Sequence, residues 1–100
     1  MTYLICYDIT DDTLRLRLSK RLEQAGCIRL QKSVFVAADF DARRYKILRG
    51  SLQKILTHKL GAAESVLIFP IERDNLAEMV LSGDEDRLKS LLIRSLYKIL

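Results

Sequence analysis

The sequence predicts an α+β protein: an antiparallel sheet with helices packed on one face. Three observations predict it. Short β-prone runs alternate with two longer segments whose apolar residues recur at helical spacing. The punctuating residues fall where caps and turns belong. The 100-residue chain, 49% hydrophobic and 30% charged, is long enough for one core and too short for several.

The elements follow in order. Tyr3-Leu4-Ile5-Cys6-Tyr7-Asp8-Ile9 is a strand ending at Thr10-Asp11-Asp12-Thr13, a cluster suited to capping a helix. Leu14, Leu18, Leu22 and Ala25 then mark a helical stripe closed by Gly26. Ile28 and Leu30 open a second strand, Gln31-Lys32-Ser33 interrupts it, and Val34-Phe35-Val36-Ala37 resumes as a third. Asp39 or Asp41 caps the next helix, with stripe Tyr45, Leu48, Leu52, Ile55 and Leu56 and a stop at Gly61. Ser65–Phe69 is the fourth strand; Pro70 has no amide to give a ladder, so that strand ends there or lies at an edge. This order is the split βαβ pattern of a ferredoxin-like sandwich. Tyr3–Tyr7 is apolar on both alternating faces, so the open sheet face needs a cover, and a homodimer packed sheet to sheet supplies one.

The last third extends this unit. Leu76–Leu81 reads as a short fifth strand, and Asp84-Glu85-Asp86 caps a C-terminal helix with stripe Leu88, Leu91, Leu92, Leu96 and Ile99. The expected division is a ferredoxin-like domain over 1–71 and an extension over 72–100 that docks a dimer mate or partner.

Composition narrows the function. No window has the roughly 18 apolar residues of a membrane span, and no basic region precedes the first apolar run, so neither membrane nor secretory signal is expected. Cys6 and Cys27 form no disulfide framework and match no zinc spacing, which points to a reduced, cytoplasmic setting. The net charge of +4 is localised: residues 41–64 hold six basic groups, Arg43, Arg44, Lys46, Arg49, Lys54 and Lys59, against Asp41 and Glu64. Such a stretch is either a polyanion-binding face or a solvated helix surface.

Few residues carry chemistry. Asp8, at a strand end, is a hard oxygen donor. Mg²⁺ needs only one or two carboxylates, keeping several waters and taking phosphate oxygens, so two copies of Asp8 across a dimer axis would suffice. The competing reading has Asp8 capping the helix or satisfying a turn amide. Arg17 and Arg21 are like charges at i,i+4, a spacing that makes sense beside an anion and is otherwise snorkelling surface. Phe35 lies on the opposite sheet face from Val34 and Val36, as core or as a platform for a base. His58, near a helix end, reads as a cation at a C-terminus. No nucleophile constellation and no glycine-rich phosphate loop is present.

The residues Tyr7-Asp8-Ile9, Arg15-x-Arg17-Leu18, Leu22, Gly26 and Gln31-Lys32-Ser33-Val34-Phe35 resemble the CRISPR-associated endoribonuclease family. This is the small second core protein that partners the CRISPR integrase subunit in spacer acquisition. The resemblance runs over about residues 3–71. It implies a ferredoxin-like homodimer with Mg²⁺ between the two Asp8 carboxylates. It also implies nuclease-site roles for Tyr7, Arg15, Arg17, Arg29 and Phe35. Where many relatives carry another polar residue two positions after the aspartate, this chain has Thr10, a neutral group. The implied substrates are single-stranded RNA or double-stranded DNA. On this reading Arg15, Arg17, Arg43, Arg44, Lys46 and Arg49 contact nucleic acid. The alternatives are a non-catalytic architectural DNA-binding scaffold for the integrase, or a related small ribonuclease toxin.

Overall fold

A computed structural model describes residues 1–57, 61 and 63–78. Strand β1 (Thr2–Asp8) leads to helix α1 (Asp12–Gln24), strands β2 (Ile28–Gln31) and β3 (Val34–Ala37), helix α2 (Ala42–Leu56), and strand β4 (Ser65–Ile71). A 3₁₀ helix, Arg73–Glu78, follows. The sheet order is β2-β3-β1-β4, with every neighbouring pair antiparallel. This is the sheet expected of the ferredoxin-like class.

The helix boundaries have local causes. Asp11 is extended and accepts the Leu14 amide at 2.8 Å, capping α1. At the other end Gly26 adopts φ +91°, its amide donating to Glu23 O and that of Cys27 to Leu22 O, both at 3.0 Å. The two bonds make a Schellman stop, which requires a left-handed residue. Asp41, rather than Asp39, caps α2 by accepting the Arg44 amide at 2.7 Å. α2 stops at Leu56, short of the expected Gly61, because Thr57 turns extended and its hydroxyl donates to Gln53 O at 2.7 Å.

Strand alternation sorts side chains by face. Ile5, Tyr7, Phe35 and Ala37 pack with Leu14, Leu18, Leu22, Leu48 and Leu52 in the main core beneath the helices. Tyr3 and Tyr45 add a stacked pair, ring centroids 4.0 Å apart. On the opposite face Val36 is fully buried among Ile28, Leu30 and Ile71, while Leu67 and Phe69 remain about half exposed.

β4 lies at the sheet edge and runs through Pro70, opposite Tyr3, to Ile71. The expected fifth strand over Leu76–Leu81 is corrected in its first part. Residues 76–78 belong to the 3₁₀ helix, whose first turn closes through the Asn75 amide donating to Glu72 O at 3.1 Å. Residues 79–81, His58, Lys59 and the C-terminal helix expected from Asp84 lie outside the described residues. Among the described residues no helix is long and apolar enough to cross a membrane.

Candidate functional site

Asp8 ends β1, the inner strand between β3 and β4, and pairs with Ser65. Its side chain is exposed and, among the described residues, makes no hydrogen bond or ion pair. The helix-cap alternative fails because Asp11 takes that position. A bare carboxylate on a rigid strand end is available to an external cation.

The other residues of the expected nuclease site divide into two groups. Tyr7, Arg29 and Phe35 converge on the β2–β3 turn. The buried Tyr7 hydroxyl donates to Lys32 O at 3.3 Å, and Arg29 Nη2 donates to the same carbonyl at 3.2 Å. The Arg29 guanidinium lies 5.1 Å from the Phe35 ring centroid, and its Nη1 is 3.8 Å from Glu23 Oε1. Phe35 is fully buried against Tyr7, with centroids 6.3 Å apart, so its ring is core. These three side chains shape the turn beside β1. Because side chains alternate, Tyr7 and Asp8 point to opposite sheet faces.

Arg15 and Arg17 stand on α1. Arg15 is ion-paired with Asp12, whereas Arg17 is exposed and lines a cleft of about 100 Å³ with Asp11, Thr13 and Leu14. Arg21 is turned aside to donate to Ser51 Oγ at 2.9 Å, between the helices.

The basic stretch is mostly α2. Between Ala42 and Leu56 the helix carries Arg43, Arg44, Lys46, Arg49 and Lys54 and no acidic residue. Arg43, Lys46 and Arg49 are exposed and unpaired among the described residues. Arg49 borders a groove of about 320 Å³ between α2 and β4, with Tyr45, Leu52 and Ile68. Arg44 differs: its Nη2 donates to Ala25 O at 3.1 Å, and its guanidinium covers Phe40.

One residue of this rim carries no signal of its own in the sequence. Glu64 Oε2 accepts the Thr10 amide at 2.7 Å and the Thr10 hydroxyl at 3.1 Å, and Oε1 accepts the Gly61 amide at 2.7 Å. The amides of Gly61 and Thr10 hold its carboxyl below the ordinary 4.5. In the sequence it is one acid in a basic stretch; only the pairing of β1 with β4 brings it to Thr10.

The donor set fits a divalent ion that keeps most of its water. Among the described residues no group of three or more His, Cys, Asp or Glu is placed to hold a metal within one chain. Asp8 offers a hard oxygen that has no partner among the described residues, which is sufficient for half of a Mg²⁺ site.

Comparison with known proteins agrees with this architecture. The family model described as CRISPR associated protein Cas2 matches residues 1–79. The chain is similar to the CRISPR-associated endoribonuclease Cas2 of Korarchaeum cryptofilum, 37% identical over 73 residues, covering 71% of this chain and 73% of that one. It is 33% identical over 85 residues to the CRISPR-associated endoribonuclease Cas2 2 of Synechocystis sp., covering 84% and 86%. The crystal structure of the hypothetical protein TT1823 from Thermus thermophilus superposes with a TM-score of 0.59 at 30% identity, over 71% of this chain and 80% of that one. The resemblance carried by residues 3–71 falls inside the matched region, and the chain belongs to the Cas2 family of CRISPR-associated proteins.

Proposed function

We propose that this chain is a dimeric subunit of the CRISPR spacer-integration machinery that binds double-stranded DNA and cleaves RNA or DNA phosphodiesters with Mg²⁺. The observation that carries the catalytic part is Asp8, exposed at the end of an inner strand and without a partner among the described residues. Two such carboxylates, one from each copy, make a pair that is not assembled among the described residues of one chain. When bound, Mg²⁺ supplies Lewis-acid stabilisation of the phosphate and lowers the pKa of water. The chain's own residues do the rest. Asp8 holds the cation. Arg17, unpaired among the described residues, offers its guanidinium to a non-bridging phosphate oxygen, and Arg15 on the same helix adds a second by exchanging its Asp12 partner for phosphate. Tyr7, Arg29 and Phe35 act indirectly by fixing the Lys32–Ser33 turn against β1.

The DNA-binding part rests on α2, whose five basic residues have no acid among them. Doubled across a dimer, this face binds duplex phosphates with little regard to sequence. The extension over 72–100 docks the integrase. The relatives' name as endoribonucleases favours RNA as the cleaved substrate, and the family match favours CRISPR adaptation over a toxin.

The test is Asp8→Asn in purified protein with Mg²⁺, assayed on single-stranded RNA and duplex DNA, beside spacer acquisition in cells. Loss of cleavage with loss of acquisition is the expected result. Undiminished cleavage overturns the Asp8 mechanism, and lost cleavage with intact acquisition leaves the architectural scaffold. Removing residues 84–100 while integrase binding survives overturns the docking role.

A further inference from the structure

We infer that Glu64 is a positioning residue for Asp8: its carboxylate fastens the backbone just beyond Asp8 to the segment that opens β4. This inference rests on the Asp8 reading above. The ladder between β1 and β4 ends at the pair Asp8–Ser65. Beyond it Ile9 turns into the core, 4% exposed, and Thr10 returns to the surface. Thr10 N–H has no further strand carbonyl to meet, and Glu64 Oε2 takes that place at 2.7 Å while also accepting the Thr10 hydroxyl.

The carboxylate is itself held. Its Oε1 accepts Gly61 N–H at 2.7 Å, and the Glu64 amide donates to Gly61 O at 3.1 Å. Three donors therefore share two ionised oxygens, a charge-assisted arrangement that a neutral side chain cannot reproduce. Glu64 and Ser65, adjacent in sequence, grip Thr10 and Asp8 respectively, so the backbone is held at Asp8 and again two residues beyond it. Where each chain offers one carboxylate, its placement is what a shared metal site demands. The neutral Thr10 thus has a role as the handle by which an acid 54 residues later in the chain steadies the ligand.

The experiment measures Mn²⁺ binding to the full chain by the electron paramagnetic resonance of free Mn²⁺, and amide exchange at Ile9 and Thr10 in metal-free protein. The variants are Asp8→Asn, Glu64→Ala and Glu64→Gln. Asp8→Asn abolishes binding. Glu64→Ala weakens it about tenfold, the scale of other residues that orient metal ligands, and speeds Thr10 exchange while the Phe35 amide stays protected. Glu64→Gln keeps one acceptor oxygen, falls between, and serves as the folded comparison should the alanine variant fail to fold. Binding by Glu64→Ala or Glu64→Gln equal to the unsubstituted chain, with Asp8→Asn still deficient, overturns the positioning role and leaves Asp8 as ligand. Binding indifferent to Asp8 removes both.

Discussion

The guanidinium of Arg44 lies 4.0 Å above the ring centroid of Phe40. From there it donates to the carbonyl of Ala25, the C-cap of α1. A cation over an aromatic face, bonded to a helix-end carbonyl, is favourable on each count. Arg44 therefore joins the start of α2 to the end of α1, and its contribution to stability exceeds that of its exposed neighbours. Arg44→Ala should lower unfolding free energy by about 1–2 kcal/mol, and Arg43→Ala by less than about 0.5, measured by urea denaturation. Gly26 abuts the same group: a β-carbon there would stand 2.9 Å from Arg44 Nη2, on a backbone at φ +91°. Gly26→Ala should cost about 1–2 kcal/mol from the left-handed conformation alone, and part of any additional loss should vanish in the Arg44→Ala background.

Gly50 presents the opposite case. It lies within α2, exposed, and an added β-carbon meets nothing within 4 Å. Glycine in a helix interior is less favourable than alanine, so Gly50→Ala should stabilise the fold by about 0.5–1 kcal/mol. Thermal and urea unfolding check it.

The α2 face makes a salt-dependent prediction. Nucleic-acid affinity should fall linearly with ionic strength on a log–log plot, with Arg43→Ala, Lys46→Ala and Arg49→Ala each reducing the slope by about one for duplex DNA. Filter binding or fluorescence anisotropy over a salt series measures it, and an unchanged slope in the triple variant excludes this face. Arg44→Ala is a poor substitute, since its fold is weakened as well.

Cys27 sets an alkaline limit. Burial pushes its thiol from the ordinary 9.0 up to about 11, against the opposing pull of Arg44 and Arg21. The folded chain then holds the proton where the unfolded chain releases it, so the stabilisation is full below pH 9 and lost as pH rises towards 11. The loss amounts to about 2–3 kcal/mol. Urea midpoints between pH 8 and 11 should fall in the wild-type chain and stay flatter in Cys27→Ala, whose overall stability is lower because of the cavity.

Most of the scaffold is legible in the sequence because its signals are local. β1 and α1 are bounded by Asp11 and Gly26, whose roles depend on residues within a turn of themselves. Pro70 announces an edge strand for an equally local reason. The end of α2 is misjudged because an apolar stripe and a later glycine outweigh Thr57, whose hydroxyl bond to Gln53 appears only once the backbone is placed. The same distinction governs the site. Asp8 is readable as a carboxylate at a strand end, whereas Glu64 acquires meaning only from the adjacency of β1 and β4. Arg44 counts as one more basic residue until Phe40 and Ala25 are brought beneath it.

The inner place of β1 has a consequence for control. A residue on a surface loop can be moved by local rearrangement, at small cost and on fast timescales. Asp8 sits instead at the end of a strand bonded along both edges, itself paired with Ser65 of β4, so it moves with that ladder. If two copies bring their Asp8 carboxylates together, the gap between them is adjusted by one whole chain rolling against the other. Switching such a centre on or off is then a matter of quaternary angle, a variable that a DNA duplex or a partner subunit can set from a distance.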